Sequence, residues 1–214
     1  MPNVKVIDNR FLTEDTYVLR TERPETDIKA GQCFSLGTSD LGINREYSMY
    51  SGSKDPYVDF LIRKVPEGRV STRLAELRPG EELQLSGPYG EFCLPEDEIF
   101  ESSYLFVASG TGIAPFRSFA LTHPSLSYEI LHGVRLGSET YDEEKYPNNR
   151  YTPCISKPEN GKEGMRVTDY LVNKDLDTSS KVYLCGNRNM IIDAIAILRT
   201  KGFTGDSIFT ETFF

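Results

Sequence analysis

With 214 residues, 38% of them hydrophobic, and with 12 Tyr and 12 Phe, the chain has apolar material for one large core or two small ones, which excludes a disordered segment. A formal charge of −8, from 24 Lys and Arg against 32 Asp and Glu, excludes general nucleic-acid binding, because counterion release needs a positive surface. No apolar run approaches the roughly 18 residues of a membrane helix. The first 20 residues lack a charged-then-apolar leader, so no membrane span and a cytoplasmic location are expected. Cys33, Cys93, Cys154 and Cys185 lie far apart and form no C-x-x-C, so neither a zinc nor a cysteine-held iron–sulfur cluster is expected, and no metal is required.

Up to about Leu94 the pattern is β-rich. Residues 17–19, 33–36, 58–62 and 82–85 are short apolar runs, separated by turn signals at 29–31, 78–80 and 87–90, and this spacing predicts a small antiparallel barrel. Residues 70–77, with Ser71 as a cap candidate and apolar Leu74 and Leu77, form the one helix expected there. From about Ser103 buried strands are followed by helices: 104–108, then a Gly-rich turn and an apolar stretch at 116–121, then strands at 128–134 and 181–185. Ile191, Ala194, Ile195 and Leu198 mark a helix over 190–199. Such alternation predicts a parallel sheet. Residues 136–150 read as a polar surface excursion, and the acidic connector at 95–98 divides the chain into domains of residues 1–98 and 99–214.

Four places carry chemistry. The turn Ser109-Gly110-Thr111-Gly112-Ile113-Ala114-Pro115 follows an apolar strand and precedes a helix. Its glycines permit close backbone approach to a pyrophosphate, the helix start offers unpaired N–H groups, and Pro115 suits a first turn; a G-x-G can equally serve only the dihedrals of the turn. Cys185-Gly186-Asn187, with Met190 opening the next helix, lies at a strand's carboxyl end, where open parallel sheets bind ligands, although a buried Cys and a turn Gly is the plainer reading. Arg45-Glu46-Tyr47-Ser48 brings together a cation for a phosphate, an aromatic for a ring system and a hydroxyl for a heteroatom, or else is an ordinary strand with a surface Arg. The chain ends Glu211-Thr212-Phe213-Phe214, where two aromatics could also simply pin the terminus to the core.

In this order the motifs resemble the ferredoxin-NADP reductase family: R-x-Y-S at 45–48, Gly68-Arg69-Val70-Ser71 with Leu74, G-P-x-G-x-F at 87–92, G-T-G-x-x-P at 110–115, Cys185-Gly186 and the aromatic C-terminus. The resemblance covers nearly the whole chain. It implies a two-domain flavoprotein, an FAD-binding antiparallel β-barrel followed by an α/β parallel-sheet NAD(P)-binding domain with a C-terminal aromatic tail. It further implies that Arg45 pairs with the flavin pyrophosphate, Tyr47 stacks on the isoalloxazine and Ser48 hydrogen-bonds near N5, with Glu46 in the same flavin-binding strand and Gly68, Val70 and Ser71 at the pyrophosphate. Gly110, Thr111, Gly112 and Pro115 would meet the dinucleotide, with Gly186, Asn187 and Met190 at the neighbouring strand end. Ser48, Cys185, Glu211 and Phe213 would form the catalytic set. Phe213 falls at the family's stacking aromatic, leaving Phe214 as an extra residue beside the flavin.

For the nicotinamide, Arg135, Lys157 and Arg166 match the cations that the family turns to a 2′-phosphate, which favours NADP(H) over NAD(H); Lys157 lacks the bidentate fork of the Arg often found there. The implied activity is electron transfer between NADP(H) and a one-electron carrier such as ferredoxin or flavodoxin, with any iron–sulfur relay on another chain. Arg63, Lys64, Arg69, Arg73 and Arg78 are clustered candidates for meeting an acidic carrier, or an ordinary solvated face. The alternatives are a reductase component of an oxygenase, an NAD(P)H:flavin reductase, or a flavin- or dinucleotide-binding sensor or assembly subunit without turnover.

Overall fold

The computed structural model describes residues 2–147, 149–159 and 161–213, which divide into two compact units. The first comprises the chain up to Leu94 together with Ala114–Pro124; the second comprises Pro95–Ile113 and the chain from Ser125 on.

The first unit is the expected antiparallel barrel. Its strands are β1 (Asn3–Phe11), β2 (Thr16–Glu22), β3 (Cys33–Gly37), β4 (Asn44–Ser48), β5 (Tyr57–Arg63) and, after helix α1 (Arg69–Ala75), β6 (Glu82–Tyr89). They pair in the order β4-β3-β6-β1-β2-β5, and the ends meet where Met49 bridges Phe60 and the Tyr50 N–H donates to the Asp59 carbonyl at 2.7 Å. Alternation decides what fills it. Val58, Phe60 and Ile62 of β5 point inward with Tyr17 and Leu19 of β2, while Val70 and Leu74 of α1 join the same core. On the outer face Asp59 holds Arg20, its register partner, at 2.7 Å, and the Arg20 guanidinium lies 3.5 Å from the centre of the Tyr57 ring.

Helix α1 ends earlier than its apolar spacing predicts. The Asn9 side-chain amide donates to the carbonyls of Leu74, Ala75 and Leu77 at 3.2, 3.2 and 3.0 Å, taking up the acceptors at the helix end. Ser71 is not its cap. Gly68 occupies that position, and the Ser71 hydroxyl instead accepts the Val65 N–H at 3.2 Å.

The second unit is a wholly parallel sheet. In chain order come β7 (Ser103–Ser109), β8 (Ser127–Val134), β9 (Tyr151–Ile155), α3 (Val167–Asn173), β10 (Lys181–Asn187), α4 (Arg188–Thr200) and β11 (Ile208–Phe213); helix α2 (Ala114–Thr122), between β7 and β8 in sequence, belongs to the first unit. The strand order is β11-β10-β7-β8-β9, all neighbours parallel. Helix α4 buries Ile191, Ala194 and Leu198 as its spacing predicts. Residues 136–150 are more than a surface excursion: Tyr141 and Tyr146 are buried, and the Tyr146 ring stacks on Tyr151 at 5.0 Å. Among the described residues no helix is long and apolar enough to cross a membrane.

Candidate flavin and dinucleotide sites

Strand β4 presents the R-x-Y-S motif in steps of burial. Arg45 and Glu46 are exposed, Tyr47 is half-buried, and Ser48 retains only 4% exposure opposite Cys33 of β3. Burial pushes the Tyr47 phenol up to about 12, with the Arg45 charge acting the other way, so its hydroxyl stays protonated. The Tyr17 phenol, raised by burial and then by Tyr47, donates to the Ser71 carbonyl at 2.6 Å and ties α1 to the barrel wall. The start of α1 suits a phosphate. Gly68 has no side chain to cap it and its first turn has no acidic residue, so an anion fits the N–H groups left there. These residues fit a flavin nucleotide: a cation and a helix start for phosphate, an aromatic face, and a buried hydroxyl. Of the five basic residues at 63–78, Arg63 is held by Asp15 at 2.9 Å and Arg73 by Asp40 at 3.2 Å, so that cluster is partly neutralised.

In the second unit, topology singles out one place. From β7 the chain runs outward to β8 and β9, then returns to set β10 on the other side of β7 and β11 beyond it, so the order reverses between β7 and β10. Ligands of open parallel sheets bind at the carboxyl ends of strands flanking such a reversal. There the turn Gly110–Ile113 leaves β7 and Cys185-Gly186-Asn187 closes β10.

Glycine is required at this junction for packing. A Cβ on Gly112 would stand 2.4 Å from the Cys185 carbonyl oxygen. Gly186, with φ of 127°, would put one 2.4 Å from the Ser109 hydroxyl. That hydroxyl accepts the Asn187 N–H at 2.8 Å, joining the two strand ends. The Asn187 side-chain oxygen is itself engaged as the N-cap of α4, accepting from Asn189 and Met190 N–H groups at 2.9 and 3.4 Å. Thr111 is partly exposed in the turn, and Pro115 is buried in the first turn of α2.

Register brings the C-terminal residues to the same end of the sheet. Glu211 pairs with Cys185 and Phe213 with Asn187. The Cys185 thiol, fully buried, donates to Glu211 Oε2 at 3.7 Å. Burial, followed by the Glu211 charge, raises that thiol well above its ordinary range, so it is a neutral packing group rather than a thiolate nucleophile. Phe214 lies outside the described residues.

Backbone pairing carries the segments of Arg135, Lys157 and Arg166 side by side beyond the ends of β8 and β9. Lys157 N–H donates to the Arg135 carbonyl at 2.8 Å, and Met165, next to Arg166, donates to the Ile155 carbonyl at 2.9 Å; all three basic side chains are exposed. Buried Glu139 shapes the turn by accepting the Arg135 and Leu136 N–H groups at 2.8 and 3.3 Å. Motif reading placed Ser109 in the turn without giving it a role and missed Glu139 and His132, which hold backbone, and Tyr151, which holds His132; none carries a spacing signature for that work.

A barrel with a phosphate-ready helix start, joined in sequence to a parallel sheet with a glycine turn at its reversal point, defines a flavin- and dinucleotide-binding oxidoreductase architecture. Residues 3–93 match the oxidoreductase FAD-binding domain family and residues 106–195 the oxidoreductase NAD-binding domain family. These two matches together span most of the chain and give it both domains of the ferredoxin-NADP reductase type that its motifs resemble. It is 31% identical over 222 residues to the toluate 1,2-dioxygenase electron transfer component of Pseudomonas putida, covering 95% of this chain and 65% of that protein. It is also 31% identical over 189 residues to a chloroplastic ferredoxin–NADP reductase of Oryza sativa subsp. japonica, covering 75% of this chain and 48% of that one. A ferredoxin NADP+ reductase from Neisseria gonorrhoeae, solved with bound FAD and NADP, has the same fold at a TM-score of 0.85 and 21% identity, with 100% of this chain and 98% of that one covered. The chain spans 60 to 65% of the length of several of the relatives it matches.

Proposed function

We propose that the chain is an FAD-dependent reductase that takes hydride from NADPH and passes electrons singly to a carrier such as ferredoxin or flavodoxin. The observation that carries this reading is the junction of β7 and β10, where the glycine turn, Cys185 and Glu211 occupy the end of the sheet at which its strand order reverses. When bound, FAD supplies the conversion between a two-electron hydride and single electrons. The chain supplies binding and orientation. Arg45, with Gly68, Val70 and Ser71, takes the flavin pyrophosphate; Tyr47 gives an aromatic face to the ring; Ser48 holds a proton near N5; Glu46 completes the strand. Gly110, Thr111, Gly112 and Pro115 take the dinucleotide pyrophosphate, flanked by Gly186, Asn187 and Met190. Cys185 packs the nicotinamide, and Glu211, the carboxylate at its thiol, relays protons.

Arg135, Lys157 and Arg166 give three exposed cations on adjoining backbone for a 2′-phosphate, which supports NADP(H) over NAD(H). The carrier is the open end of the reading. The names of several relatives, an electron transfer component of a dioxygenase and reductase components of propane 2-monooxygenases, favour a second version in which the electrons serve an oxygenase.

The test is the visible spectrum of the purified protein under anaerobic conditions, before and after one equivalent of NADPH and, separately, NADH. A yellow protein bleached faster by NADPH is the expected result, and Arg135→Ala should raise KM for NADPH about tenfold while leaving NADH unchanged. A protein that neither binds added FAD nor oxidises either nucleotide removes the enzymatic reading in favour of a binding subunit. An NADH preference that persists in Arg135→Ala removes the NADP assignment alone.

A further inference from the structure

His132 is wholly buried at the carboxyl end of β8, and none of the roles above uses it. Its ring makes two hydrogen bonds: Nε2 with the Gly110 carbonyl at 2.8 Å and Nδ1 with the Tyr151 hydroxyl at 2.7 Å. A carbonyl only accepts, so Nε2 carries a proton; burial disfavours a second, charging proton, so Nδ1 presents its lone pair and the Tyr151 hydroxyl donates to it. The ring is thus neutral and fixed in one tautomer. Two tyrosines enclose it, Tyr151 edge-on at 5.8 Å and Tyr141 tilted at 5.9 Å between ring centres.

Gly110 opens the turn that receives the dinucleotide in the reading above. The carbonyl of Gly110 and the N–H of Thr111 belong to one planar trans peptide, so they point in opposite directions. Whatever draws the carbonyl inward therefore turns the Thr111 N–H away from the imidazole. A glycine lacks the steric barrier that would keep such a peptide from flipping, and an external hold is what this position needs. We propose that His132 is a positioning residue for the nicotinamide dinucleotide: by donating to the Gly110 carbonyl it keeps the N–H groups of Thr111 and Gly112 directed at the pyrophosphate. Tyr151, reaching from edge strand β9, keeps the imidazole in the donating tautomer. The inference rests on the dinucleotide reading of this turn and adds to it the group that sets the geometry of the turn.

The test is calorimetric titration of the FAD-loaded protein with NADP+ and, as a ligand without the diphosphate link, adenosine 2′-phosphate. His132→Leu should weaken NADP+ about tenfold and leave adenosine 2′-phosphate within about twofold, because only the first uses the turn. His132→Gln, whose side-chain amide can donate to the same carbonyl, should stay within about threefold of wild type for both. A His132→Leu protein that keeps FAD and wild-type NADP+ affinity overturns the role, as does an equal loss for both ligands. Should His132→Leu fail to fold, Tyr151→Phe removes one hydroxyl and frees the tautomer; about threefold weaker NADP+ is expected, and unchanged affinity overturns the role. If the wild-type protein binds adenosine 2′-phosphate but not NADP+, the dinucleotide reading of the turn has failed, and the positioning role with it.

Discussion

In the barrel unit, the groups proposed to meet the flavin are side chains on one strand: Arg45 and Glu46 stand exposed on β4, Tyr47 is half-buried and Ser48 is nearly covered. At the β7–β10 junction of the sheet unit the corresponding surface is mostly backbone, made by leaving side chains out at Gly112 and Gly186 and by pinning what remains through Ser109 and His132. A site made of projecting side chains can lose its ligand while its fold survives. A site made of close-packed backbone joins binding to stability, so one substitution damages both.

That contrast breaks most visibly at Gly186. An alanine there would place its Cβ 2.4 Å from the Ser109 hydroxyl and 2.7 Å from the Ser109 carbonyl oxygen, in a backbone conformation with φ of 127°. Neither strand end can yield without losing the ladder between β7 and β10, so Gly186→Ala should cost about 3 kcal/mol or more in urea unfolding. Gly112→Ala should cost a similar amount, since its Cβ would meet the Cys185 carbonyl at 2.4 Å. Wild-type unfolding curves for both would mean that the junction is soft and that glycine serves only the ligand.

On the barrel side, Arg45→Ala should do the reverse. Arg45 is exposed and its one described hydrogen bond goes to the neighbouring Asn44 carbonyl at 2.9 Å, so the apoprotein should unfold within about 0.5 kcal/mol of wild type. Loss of a charge-assisted pair with a pyrophosphate should weaken FAD about a hundredfold, followed by quenching of flavin fluorescence on titration. An unchanged FAD affinity would take Arg45 out of the site; a large loss of apoprotein stability would make the two units alike.

How much of this was legible in the sequence follows the same division. Barrel strands β2, β3, β5 and β6, with β7, β8, β10 and α4, are readable because apolar alternation or helical spacing reports burial directly, as at Val58, Phe60 and Ile62 or at Ile191, Ala194 and Leu198; β1 buries only Val4 and Val6 and gives no such run. Strand β9 is hidden because Pro153 interrupts it, which an edge strand tolerates and a sequence reader takes as a break. Helix α3 is only 7 residues long, with Val167 and Leu171 as its buried positions, too short for a period to emerge. The motif residues announce themselves by spacing. His132 and Ser109 do not announce their roles, because each acts on a backbone group that is near only after folding: His132 reaches Gly110 across 22 residues and Ser109 reaches Asn187 across 78, while Glu139 acts locally, on the Arg135 and Leu136 N–H groups.

The smallest expected effect tests the protonation state on which the assigned role of His132 depends. Burial depresses its pKa from 6.5 to about 4, with the Gly110 carbonyl acting in the opposite direction. The unfolded chain therefore takes up a proton near pH 6.5 that the folded protein refuses until about pH 4. The contribution of His132 to stability is whole above pH 6.5 and falls as the pH drops toward 4, by about 1.2 kcal/mol between pH 7 and pH 5.5. His123, also depressed by burial and then by Lys54, adds to the slope in the same sense, so the quantity to compare is the difference between wild type and His132→Gln. Urea unfolding at the two pH values should show the wild type losing that much more than the variant. Parallel losses would mean that the folded imidazole is already charged. Nδ1 would then donate to the Tyr151 hydroxyl rather than accept from it, and the tautomer would owe nothing to Tyr151.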